Sequence, residues 1–105
     1  MNRKRKTEKC FKYSFFIGSN NDTHKTEPFK AIEILKRFSV LGYTLTENLK
    51  GYWNNTAEDS FKIDIIATAE NPFNDLKARQ IKTELEKDLK QFLVLTEKNA
   101  TTILI

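Results

Sequence analysis

Cysteine and histidine are almost missing from this 105-residue chain, which holds one of each, Cys10 and His24. A single cysteine rules out an intramolecular disulfide and any cysteine-based metal cluster. A single histidine rules out two-histidine metal sites, and any Ser-His-Asp triad would have to be built around His24. No metal and no cofactor are expected. Three glycines and two prolines leave little room for long flexible linkers. No run approaches the roughly 18 apolar residues of a membrane span, and no apolar signal core follows the basic N-terminus. The expectation is a soluble cytoplasmic protein with no membrane partner. The Asn-x-Thr triplets at Asn21, Asn54 and Asn99 are then glycosylation sequons in form only.

What the chain does contain is globular in character. Hydrophobic residues make up 39% and charged residues 30%, with eight Phe, three Tyr and one Trp. Disordered chains are poor in aromatics, so a packed core is expected, and the length suits one domain. The formal net charge is +4, but it is unevenly placed. Residues 1–9 carry five bases (Arg3, Lys4, Arg5, Lys6, Lys9) against Glu8 alone, and the remaining 96 residues carry 13 of each sign. A basic disordered tail over 1–9 and an electroneutral domain over 10–105 follow from that division.

Periodicity sets the element order. From Lys9 to Ile17, Phe11, Tyr13, Phe15 and Ile17 alternate with Cys10, Lys12, Ser14 and Phe16, the pattern of a half-buried strand. Gly18 to Asp22 ends it with turn-forming residues. Thr26, Glu27 and Pro28 resemble a helix start, and Phe29, Ile32, Leu35, Phe38 and Leu41 follow at helical spacing up to a stop at Gly42. Tyr43 to Leu49 reads as a strand extended by Gly51-Tyr52-Trp53, and residues 54–58 connect it to the next. Ser60 to Thr68 is the clearest strand, with Phe61, Ile63, Ile65 and Ala67 on one face. Asn71-Pro72 marks a second helix, with Leu76, Ile81, Leu85 and Leu89 buried and Glu86 paired to Lys90. Phe92–Thr96 and Thr101–Ile105 form a final hairpin or one bent strand around Glu97 to Ala100. The order β-α-β-β-α-β predicts an α+β fold, a ferredoxin-like sandwich with an antiparallel sheet of four to five strands and two helices on one face.

Three places carry candidate chemistry. The loop over 18–25 sets Asn20, Asn21, His24 and Lys25 beside a helix N-terminus, where exposed N–H groups favour a small anionic ligand. Around the middle connection, Trp53 and Glu58 are candidates for a ligand or partner contact. Glu58 and Asp59 are adjacent on a strand, so they point apart and cannot act as an acid pair. Phe16 and Ile66 are apolar spots on the open sheet face, suited to self-association. For nucleic acid the candidates are Arg3, Lys4, Arg5 and Lys6, whose charges would neutralise phosphates. RNA-recognition domains share this element order, but here the third strand reads Ser60-Phe61-Lys62-Ile63-Asp64 with one aromatic.

Several phrases occur in a fixed order: Lys12 to Gly18, Gly42-Tyr43-Thr44-Leu45, Gly51-Tyr52-Trp53, Glu58-Asp59-Ser60 with Phe61-Lys62-Ile63, and Gln91 to Leu95. The set is similar to a group of short bacterial and phage proteins of unknown function. That resemblance implies a ferredoxin-like fold and no established activity. The functional expectation is a small non-enzymatic binding module of a phage or mobile element, forming a homodimer, that inhibits a host protein or sequesters a small ligand. The alternative is a nucleic-acid-binding protein using the basic tail and the open sheet face.

Overall fold

The computed structural model describes residues 6–104 and sets two long strands at the centre of one sheet. β1 (Thr7–Ile17) and β3 (Thr56–Ala67) pair antiparallel, with Phe15 opposite Ile63 and Tyr13 opposite Ile65. Side chains alternate across a strand, so Tyr13, Phe15, Ile17, Phe61, Ile63 and Ile65 all enter the core from one face. β2 (Thr44–Trp53) borders β3, β4 (Leu95–Leu104) borders β1, and the strand order is β2-β3-β1-β4. α1 (Pro28–Arg37) follows β1 and α2 (Asp75–Asp88) follows β3. This is the expected ferredoxin-like α+β sandwich, with four antiparallel strands.

Of the two readings of the chain end, the single strand is the one found, and β1 starts earlier than the proposed tail boundary. β4 is one continuous strand paired with β1 from Thr7↔Leu104 to Phe16↔Leu95, with neither a hairpin nor a fifth strand among the described residues. An eleven-residue central strand needs a partner along its whole length, so the polar run Glu97 to Ala100 stays in register. Phe92 lies outside the sheet, 95% exposed. Thr7, Glu8 and Lys9 belong to β1 and not to a tail. Arg3, Lys4 and Arg5 lie outside the described residues, and Lys6 is exposed. β2 and β3 are joined by Asn54 and Asn55 alone, both at positive φ (50° and 62°), as a two-residue hairpin turn requires. Glu58 and Asp59 are therefore strand residues.

The helices bury a different stripe from the one the spacing suggests. α1 packs Ala31, Ile34 and Leu35 against the sheet, whereas Phe29 is 83% exposed and Leu41 is exposed beyond the helix. Glu27 occupies the N-cap with Pro28 behind it, and Ser39 at φ 57° turns the chain before Gly42 is reached. In α2, Ile81, Leu85 and Leu89 are buried as expected, with Ala78 in place of Leu76. Asn74 caps α2 by accepting from the Lys77 N–H at 2.8 Å. Glu86 pairs with Lys82 (2.5 Å) and accepts the Val94 N–H (2.9 Å), while Lys90 lies past the helix end. Burial pushes the Glu86 carboxyl up, but these two donors outweigh it and hold it below the ordinary value.

Asn71 is not a helix start; it ties two connections together. Its Oδ1 accepts from the Leu41 and Gly42 N–H groups, both at 3.1 Å, and its Nδ2 donates to Gly42 O (2.8 Å) and Ile66 O (3.1 Å). Each such bond contributes about 0.5–1.5 kcal/mol, and water can replace some of them at this half-buried site. Asn71→Ala is therefore expected to destabilise the domain by about 1–2 kcal/mol, measured as a shift of the urea midpoint with an unchanged slope.

Candidate functional site

The end of β1 runs into a loop held by its own side chains. Asn20, only 6% exposed, accepts the Asp22 and Thr23 N–H groups on Oδ1 (2.7 and 3.2 Å) and donates from Nδ2 to Glu27 Oε1 at 2.6 Å. Its backbone closes the turn through Asn20 N–H to Lys25 O and His24 N–H to Asn20 O. His24 sits at φ 59°, a conformation a tight turn imposes. Asn20 thus works as the frame of the loop. Asn21, His24 and Lys25 are exposed on its outside, and among the described residues no side chain bonds to the side chains of His24 or Lys25. Glu27, at the helix start where an anion was expected, is already paired with Lys30 at 2.7 Å. The Lys30 ammonium and the Asn20 amide hold the Glu27 carboxyl below its ordinary value.

Two glycines bring β1 and β2 close to Glu58. Register places Gly51 opposite Glu58 and Ile17 opposite Phe61, so Gly18, Gly51, Glu58 and Ser60 share the open face. A Cβ built on Gly18 would meet the Glu58 carboxylate head-on, 2.7 Å from Cδ and 3.1 Å from Oε2. A Cβ on Gly51 would lie 3.7 Å from Ser60 Oγ and 3.9 Å from Glu58 Cγ. Trp53, 78% exposed, is on the same face two residues beyond Gly51, while Tyr52 points to the other side. Glu58 and Asp59 diverge as alternation demands: Asp59 pairs with Lys50, and Glu58 forms no ion pair among the described residues.

Long-range bonds fix the strand end under this acid. Gln91 accepts the Gly18 N–H on Oε1 (3.1 Å) and donates from Nε2 to Ser19 O. Ser19 Oγ donates to Asp59 O at 2.8 Å, which joins the loop to β3 beside Glu58. The two sequence clusters, the loop and the middle strands, therefore meet at Gly18 and Ser19. Sequence spacing shows Gly18 as a turn residue and gives no sign of its contact forty residues away.

Further along the open face the surface is mixed. Phe16 is half-buried opposite Lys62, whose ammonium is 5.9 Å from the ring, and Lys12 is opposite Ile66. Ser14 and Asp64 are hydrogen-bonded between them, and Lys62 reaches Asp64 at 3.4 Å. Phe16 and Ile66 are thus separate spots. Leu95, opposite Phe16 on β4, is exposed and extends the first of them.

On the inner side, a shallow cavity of about 310 Å³ opens between β4 and α2, lined by Tyr13, Asp75, Arg79, Lys82 and Lys98 among others. Tyr13 donates to Asp75 Oδ1 at 2.6 Å, and Lys98 reaches the same oxygen at 2.8 Å while lying 4.2 Å over the Phe11 ring. Sequence reasoning missed this trio, because its members come from three distant elements. Lys98 and then Tyr13 hold the Asp75 carboxyl below its ordinary value, and Asp75 in turn raises Lys98. Burial, followed by Asp75, raises the Tyr13 hydroxyl. A lowered carboxyl adds stability above its unfolded value, and this is lost as pH falls through the folded one. Asp75→Asn should flatten the decline of melting temperature below about pH 4, as followed by circular dichroism from pH 2 to 6. An unchanged acid limb would refute the pairing.

Among the described residues, no helix is long and apolar enough to cross a membrane. No family model matches the chain, and no curated protein matches it in sequence. Solved structures do share its fold. A phage SAM lyase in its apo state superposes with a TM-score of 0.70 at 21% identity, covering 92% of this chain and 90% of that one. A phage SAM lyase in complex with S-methyl-5′-thioadenosine gives 0.64 at 20% identity, covering 91% and 90%. CPII from Thiomonas intermedia K12, a nitrogen regulatory PII-like protein, gives 0.61 at 15% identity, covering 95% and 97% in its apo form. The chain is a small ferredoxin-like protein whose fold is used by ligand-binding regulators and by an enzyme. The expectation of a non-enzymatic module is corrected by the lyase: one fold carries both roles, so the lack of a recognisable triad or metal motif does not exclude catalysis.

Proposed function

We propose that the chain binds S-adenosylmethionine at the Glu58 end of the open sheet face and cleaves it to S-methyl-5′-thioadenosine. The observation that carries this reading is the Glu58 carboxylate, set over Gly18 without a cationic partner among the described residues and on the same face as the exposed Trp53. The likeness to the phage lyase supports it.

The substrate's charges decide which residues can serve. Its sulfonium and ammonium outweigh its one carboxylate, so it is net positive, and an unpaired acid suits it better than Lys25 or His24 does. Cleavage needs no external nucleophile. A carboxylate oxygen of the substrate attacks its own Cγ and closes a five-membered lactone. The Cγ–S bond breaks, and its electron pair neutralises the sulfonium to a thioether. No proton, oxidant or metal enters the balance.

Opposite charges vanish as the bond breaks, so an acid placed against the sulfonium would stabilise reactant more than transition state. Glu58 is therefore assigned to the ammonium, which persists throughout, and it orients the substrate carboxylate toward Cγ. Trp53 offers a flat apolar surface for the adenine. A second copy on Phe16, Ile66 and Leu95 would cover the face and exclude water, which speeds a charge-annihilating step. In a phage or mobile element such an activity would deprive host methyltransferases of their methyl donor in the cytoplasm. The test is chromatography of S-adenosylmethionine incubated with the purified chain. Release of S-methyl-5′-thioadenosine is expected, and a chain that neither binds nor cleaves the substrate sinks the reading.

A further inference from the structure

The geometry points to Gly18 as the residue that positions Glu58, a role that rests on the proposed substrate contact of Glu58 but is visible without it. Gly18 has no positive φ, so its backbone does not require glycine. Space does. The carboxylate of Glu58 lies where any β-carbon at position 18 would be, with Cδ 2.7 Å and Oε2 3.1 Å from that point. One of the two must yield when a methyl group is added, and the surroundings decide which.

The backbone at 18–19 is clamped from two sides. Gln91 takes the Gly18 N–H and donates to Ser19 O, and Ser19 Oγ reaches over to Asp59 O. Ile17, next in the strand, is fully buried against Phe61. Glu58 is exposed and forms no ion pair among the described residues. Its side chain is the part that gives. A methyl at 18 therefore swings the carboxylate away while leaving the strand in place. Gly18 is a positioning residue: it leaves a bare patch of backbone on which the acid rests, at the point where β1, β3 and Gln91, just past α2, are bonded together.

Four measurements test this. Gly18→Ala should lower kcat for release of S-methyl-5′-thioadenosine on the order of 100-fold, the cost of misplacing an orienting group by about an ångström. In the Glu58→Gln background the same substitution should cost nothing further. Wild-type kcat in Gly18→Ala, or a loss that multiplies on top of Glu58→Gln, overturns the assignment. The side-chain carboxyl ¹³C resonance of Glu58 gives a readout independent of turnover: it should move in Gly18→Ala, and an unmoved resonance overturns the assignment. If the wild type releases no product, the lyase reading fails alone and this resonance still decides the role of Gly18. Should Gly18→Ala fold poorly, adding Glu58→Asp, one methylene shorter, should restore folding, and failure to restore it counts against the contact.

Discussion

Glu58→Gln should lower the rate of S-methyl-5′-thioadenosine release on the order of 100-fold and leave the melting temperature unchanged. The substitution keeps size and removes charge, and position 58 is exposed on the outer half of β3, so the fold does not depend on it. The activity does. An ammonium held by a carboxylate is oriented as well as attracted, and orientation alone can supply several kcal/mol of an intramolecular displacement. The neighbouring acid provides the control. Asp59 is one residue away but on the opposite face, engaged with Lys50. Asp59→Asn should therefore leave turnover within about twofold, since exposed ion pairs contribute about 0–1 kcal/mol. Equal losses at 58 and 59 would mean that only the charge of the hairpin matters, and the directed role of Glu58 would fall.

The strands were legible in the sequence because the pattern they carry is the pattern they bury. Phe11 to Ile17 and Phe61 to Ala67 alternate except at Phe16 and Ile66, and the buried inner residues of β1 and β3 are among those that alternation picks out, apart from Phe11, which stays 45% exposed beneath Lys98. Helix phase was harder, since each helix carries competing apolar stripes. Phe29 and Leu76 fall in first turns and stay exposed, while Ala31 and Ala78 are buried against the core, where a larger side chain would force the helix away. Alanine weighs little in any hydrophobic count, so such positions are underrated by spacing alone. Long-range polar bonds leave still less trace. Asn71, Gln91 and the Tyr13–Asp75–Lys98 trio act across long separations, and a polar residue in a loop looks the same whether it faces water or holds a neighbouring segment. Glu58 and Trp53, both in the proposed site, fall in one cluster of the sequence, and alternation correctly separated Glu58 from Asp59. Their junction with Gly18 depends on the β1–β3 register, which no local pattern specifies.

Phe16→Glu combined with Ile66→Lys should reduce the particle to a single chain of 12.3 kDa in light scattering and abolish cleavage at the same time. The open face explains why the two losses should come together. Four strands about 4.8 Å apart and some ten residues long present roughly 600 Å², close to the roughly 800 Å² per partner of a stable interface. Phe16 with Leu95 and, separately, Ile66 are the apolar points on it, and between them Ser14, Asp64 and Lys62 are bonded to one another. A charge at either spot costs several kcal/mol once buried against a partner. Left uncovered, the Glu58 end is a wet surface, on which the substrate's separated charges are well solvated and their annihilation is slow. Covered, the same acid and the same indole would form the floor of a site from which water is excluded. Glu58→Gln should accordingly lose turnover and keep the assembled mass, whereas the Phe16–Ile66 pair should lose both. A double variant that stays assembled, or a monomer that still cleaves at the wild-type rate, would remove the second copy from the site and leave Glu58 to act alone.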